Sequence, residues 1–155
     1  MSTIYVCIGS ASSTEFARIE RAVDVLNMAH NSFRSLKVVV QDDSWDKVCK
    51  SVVEGMGFQA KVNVNESAAC GAFAFSISSG DFLGKADAFL EEVQNKFGLT
   101  LEGSEEYFAG LAQENGERFN RADRDEVTIF AASKGKGVPL LRTVLGEVQV
   151  TLESR

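Results

Sequence analysis

Residues 4–26 read IYVCIGSASSTEFARIERAVDVL, and this stretch decides the fold. Ile4 through Ile8 form a β-rich apolar run closed by Gly9, the pattern of a strand buried on both faces. A loop of small residues follows over positions 9–13. Ser12 and Glu15, three positions apart, fit a capping box at a helix start. Phe16, Ile19, Val23, Leu26, His30 and Phe33 then recur at spacings of three and four, one apolar stripe along a helix.

Working outward, residues 36–41 (LKVVVQ) predict a second strand ended by Asp42 and Asp43. Ser44 is placed to cap a helix carrying Trp45, Val48, Cys49 and Val52, stopped by Gly55 and Gly57. Strand, helix, strand, helix implies a right-handed crossover and two parallel strands. Phe58, Ala60, Val62 and Val64 alternate with polar residues, as in a strand with one wet face. Phe73, Phe75 and Ile77 alternate with Ala72, Ala74 and Ser76, and the two runs predict an antiparallel hairpin.

A helix is expected over residues 81–97, with Phe82, Ala86, Phe89, Leu90, Val93 and Phe97 inward, and another from Ser104 to Gly116. Residues 117–126 read as a charged, exposed connection. Residues 127–132 predict a strand, 133–137 a basic flexible loop and 140–145 a short helix behind Pro139. Val148, Val150 and Leu152 predict a closing strand. The expectation is an α/β (α+β mixed) fold: one domain over residues 1–155, a mixed parallel/antiparallel sheet and four to five helices packed on it.

Sixteen Lys and Arg against 22 Asp and Glu leave a formal charge of −6, which disfavours direct binding to a nucleic-acid backbone. Cys7, Cys49 and Cys70 are odd in number and widely spaced, so neither a disulfide framework nor a structural zinc site is expected. The opening residues lack the basic segment and long apolar core of a signal peptide. Nothing approaches the roughly 20 apolar residues of a membrane span. A cytoplasmic, membrane-free protein is the expectation.

Three loops carry candidate chemistry. The loop after the first strand offers free backbone N–H groups and the Ser10, Ser12 and Ser13 hydroxyls to an anion, although neither G-x-G-x-x-G nor G-x-x-x-x-G-K-[ST] is present. Asp42 or Asp43, at the end of the second strand, is placed to hold a sugar hydroxyl. Lys134 and Lys136, in the run Ser133-Lys134-Gly135-Lys136-Gly137, would neutralise the anion if their strand also ran parallel. All three loops would then open on one sheet edge.

Other groups carry bland readings. His30 lies on an apolar stripe, Cys70 has no activating neighbour, and Asp123 and Asp125 alternate with arginines. Residues 66–71 read as a link between two strands, with Glu66 as a possible acid. Phe73, Phe75 and Ile77 share a strand whose opposite face is small and suited to packing against a second copy or partner.

The opening 23 of 155 residues resemble the first strand, small-residue loop and helix of the lysine-decarboxylase-like phosphoribohydrolases. They are also similar to the start of the nucleoside deoxyribosyltransferases. The resemblance implies nucleotide chemistry at this edge, without the P-G-G-x-G-T-x-x-E motif of the first family, and no functional residue is carried over.

The reading is a domain that binds, with possible turnover, a phosphorylated or nucleotide-like small molecule. As an enzyme it would perform transfer or cleavage at a nucleoside-type ligand, with Glu66 or Asp43 as acid or base. The competing reading is a non-catalytic interaction or assembly protein (an inhibitor, accessory factor or homo-oligomer component) acting through an acidic surface and the Phe-bearing hairpin. The cofactor is left unknown by the sequence, and no metal site is expected.

Overall fold

The computed structural model describes residues 4–77, 79–120, 127–133 and 150–154. Strand β1 (Ile4–Ser10) leads into α1 (Thr14–Ala29) and β2 (Arg34–Val40). A 3-10 turn at Asp42–Ser44 precedes α2 (Trp45–Met56), then α3 (Val64–Cys70), β3 (Ala72–Ser76) and β4 (Phe82–Gly84). Helices α4 (Ala86–Phe97) and α5 (Glu105–Phe119) follow, then β5 (Val127–Ser133) and β6 (Val150–Ser154). The strands form one mixed sheet in the order β4-β3-β1-β2-β5-β6.

The parallel β1–β2 pair and its crossover helix follow from the opening sequence, with Ile4 opposite Arg34 and Ser10 opposite Val40. Strand alternation divides the core between two faces. Val6, Ile8, Leu36, Val38, Val40, Phe73 and Phe75 meet Trp45, Val48 and Val52 of α2 and Val64 of α3. Tyr5, Cys7, Val39, Ala72 and Ala74 meet Phe16, Ile19, Val23 and Leu26 of α1 and Phe89 and Val93 of α4. A Cβ on Gly9 would lie 2.3 Å from the Phe16 ring, so β1 and α1 pack this closely only with glycine there.

Four expectations change. Residues 58–63 are turns, not a strand: Phe58 is buried, but Val62 is 79% exposed. Asn63 takes a left-handed conformation (φ 67°) and α3 begins directly after it, so residues 66–71 end a helix instead of joining two strands. Strand β3 therefore pairs antiparallel with β1 and with β4, not with residues 58–64. The helix expected from residue 81 starts at Ala86, because Phe82–Gly84 is taken up as a strand and Gly84 sits at φ 114°.

The Phe-bearing strand is also not a docking surface. Phe73, Phe75, Ala72 and Ala74 are all 0% exposed, filled by helices on both sides. The predicted Ser104 cap holds, its hydroxyl accepting from the Tyr107 N–H at 3.1 Å, and α5 runs past Gly116 to Phe119. The short helix after Pro139, the basic loop with Lys134 and Lys136, Asp123 and Asp125 lie outside the described residues.

Candidate functional site: the rim at the carboxyl ends of β1 and β2

Parallel pairing brings the ends of β1 and β2 side by side, so Ser10 and Asp42 meet although 32 residues apart. The loop is tied down by its backbone: Ser10 N–H donates to the Gly71 carbonyl at 2.7 Å and Ala11 N–H to the Val40 carbonyl at 2.8 Å. The serines then divide their work. Ser13, not Ser12, caps α1, accepting from the Phe16 N–H at 3.1 Å while donating to the Cys70 carbonyl at 2.8 Å. Glu15 does not close a capping box; it accepts from the Ala86 N–H at 3.1 Å, at the start of α4.

Ser10 and Ser12 both turn to Asp42. The Ser10 hydroxyl donates to Oδ1 and the Ser12 hydroxyl to Oδ2. Ser12 N–H adds a bond to Oδ1 at 3.0 Å, and Asn120 Nδ2 donates to Oδ2 at 2.8 Å. A carboxylate has about four lone-pair positions, so this one is filled by neutral donors. Partial burial works to raise the Asp42 pKa, but the bonds from Ser10, Ser12 and Asn120 outweigh it and hold the group below the usual aspartate value. Asp42 is ionised at neutral pH, and no cation among the described residues forms an ion pair with it.

The donors expected to cradle an external anion thus already hold an internal one. A phosphate placed on Ser10 and Ser12 would face the Asp42 charge at close range. The strand that precedes the third loop does not run toward them. β5 runs antiparallel to β2, with Ile129 opposite Val40 and Ser133 opposite Leu36, so β5 ends on the opposite rim from Ser10. Hydrophobic alternation identifies a strand without giving its direction, and the expected convergence assumed the wrong one.

Asp43 is exposed beside Asp42. Glu66 stands in the first turn of α3, 3.7 Å from Lys85. Among the described residues, no hydrogen bond or ion pair joins Glu66 to Asp43. Asn120 was missed by sequence reasoning: it sits after a helix expected to stop at Gly116, inside a segment read as an exposed connection. Its only local signal was an asparagine near a helix end, which is common.

Between α1, α4 and α5, a cleft of about 470 Å³ is lined by Thr14, Glu15 and Arg18 of α1, Leu90 of α4, and Glu105 and Phe108 of α5. Its size suits a small molecule. Arg18 is engaged there with Asp87 at 3.0 Å and Glu15 at 3.6 Å. The cysteines are quiet: burial pushes the Cys49 thiol up to about 11 and raises those of Cys7 and Cys70 as well. His30 caps the end of α1 and packs its ring 5.3 Å from that of Phe97. No described helix is long and apolar enough to cross a membrane.

Fold and rim together define a class: a three-layer α/β domain whose parallel strand pair ends on a hydrogen-bonded, ionised carboxylate. The chain belongs to the family described as "Putative malate dehydrogenase 1B N-terminal domain", whose model matches residues 4–131. That span takes in every element from β1 to α5 and most of β5. No curated protein matches the chain.

Proposed function

We propose that this domain binds a nucleotide-like small molecule at the β1–β2 rim, with Asp42 reading its sugar hydroxyls. One observation carries the reading: an ionised carboxylate stands at the carboxyl end of a parallel strand pair, held by hydroxyl and amide donors and by no described cation. A sugar diol would take over the acceptor positions now held by the Ser10 and Ser12 hydroxyls, an exchange of like for like that leaves the charge satisfied. Ser10 and Ser12 then orient the acceptor instead of cradling phosphate, and Ser13 serves as the helix cap. Asp43, exposed and next in the chain, is a second acceptor within the same turn. The cleft past Thr14 offers room for the rest of the ligand. Membership of a family named for a dehydrogenase supports a nucleotide as the ligand class.

Thermal-shift and calorimetric titration with nicotinamide adenine dinucleotide, AMP, adenosine and pyrophosphate tests this. The ribose-bearing ligands stabilise the protein, pyrophosphate alone does not, and D42N loses the response. No response at millimolar concentration, or an equal response to pyrophosphate, defeats the reading. The completeness of the Asp42 network supports a second one, a clasp that only fixes α5 to the rim. Under it, D42N lowers the melting temperature and no ligand has any effect.

A further inference from the structure

Resting on that reading and deepening it, we propose that Asn120 is the positioning residue for the Asp42 carboxylate, so that the ligand site is complete only with α5 docked. Asn120 is the C-cap of α5 and lies 78 residues from Asp42. Its side-chain amide holds Asp42 at two points. Nδ2 donates to Oδ2 at 2.8 Å, and Oδ1 accepts from the Asp42 backbone N–H at 2.9 Å. Main chain and carboxylate are therefore fixed by one planar group, and turning the Asp42 side chain away breaks the bond to Oδ2.

Neighbouring contacts make this placement a property of α5. The Phe119 carbonyl accepts from Gln41 Nε2 at 3.1 Å, one residue before Asp42. Gly116 lies against the serine loop, where an added Cβ would come within 3.1 Å of the Ser12 Cβ. The helix thus reaches both halves of the rim. Asparagine suits the position because it offers one donor and one acceptor on a rigid head. Aspartate there would set two carboxylates together, a pair that disfavours ionisation of both.

The test uses the full chain with N120A, N120D and the control V52A, which opens a gap in the core under α2 without touching Asp42 or the cleft. Affinity for nicotinamide adenine dinucleotide is read by calorimetry beside the melting temperature. The Asp42 side-chain carboxyl is followed through a pH titration by carbon NMR. N120A binds about tenfold more weakly, as loss of one charged hydrogen bond implies. N120D binds more weakly still, and V52A keeps wild-type affinity despite its own loss of stability. The Asp42 titration midpoint moves up in N120A.

Unchanged affinity in N120A overturns the proposal and leaves the nucleotide reading standing. So does a loss in N120A that V52A reproduces at equal loss of stability. Should N120A fail to fold, the isosteric N120D decides by the same criterion. A wild-type protein that binds none of the ribose ligands overturns both.

Discussion

Helix α5 supplies an amide to each of two carboxylates, and their surroundings differ in kind. Glu20, on α1, accepts from Asn115 Nδ2 at 2.9 Å and pairs with Lys37 at 3.1 Å, with both charged side chains about 15% exposed (16% for Lys37, 14% for Glu20). Asp42 accepts from Asn120, Ser10 and Ser12 and from no described cation. A charge neutralised by a lysine inside a packed layer is a structural group. A charge held in place at a rim by neutral donors keeps its field for whatever comes next to it. Both carboxylates receive an amide from the same helix; the chemistry of their other partners separates them.

The largest effect should come from stripping the cation from the first pair. K37M leaves Glu20 and Asp24 without their lysine and should cost about 2–3 kcal/mol, less than a fully buried pair because some solvent reaches it. Chemical denaturation measures it. A cost near zero would place Glu20 in the same class as Asp42 and erase the contrast.

Acid sharpens the comparison next. The folded Asp42 pKa lies below its unfolded value, so its contribution is present above the ordinary aspartate pKa and is lost as pH falls through the depressed one. D42N should lower stability at neutral pH, and the gap between variant and wild type should close in acid. A gap that stays constant with pH would mean that Asp42 carries no charge in the folded state.

The smallest expected difference lies between adjacent serines. S13A removes the helix cap and should cost about 1 kcal/mol, whereas S12A, which leaves the Ser12 N–H bond to Asp42 intact, should cost about 0.5 kcal/mol. The reverse order would restore Ser12 as the cap.

Much of the fold was legible where one face of an element is apolar and the other is not. The stripe from Phe16 to Leu26 and the run along α2 encode a helical period, which burial on one side imposes, whereas β1 and β2 were legible as continuous apolar runs, which burial on both faces imposes. Residues 58–64 show the limit. Four apolar residues at period two resemble a strand, yet only Phe58 and Val64 are buried, at the two ends of a run of turns. The direction of β5 had no local signature, because parallel and antiparallel neighbours bury the same residues. The rim was half legible: small residues and acids at strand ends drew attention to Ser10, Ser12 and Asp42. That the serines serve the aspartate, and that Asn120 completes the group, depends on contacts across 30 to 78 residues. Spacing cannot encode those.

Amide chemical-shift mapping during titration with nicotinamide adenine dinucleotide tests the central claim most directly. The account predicts saturable shifts largest at Ser10, Ser12, Asp42 and Asn120, all lost in D42N. Shifts confined to the Ser133 end of β5 or to the α2–α3 surface around Cys49 and Val64, or none at all, would contradict it.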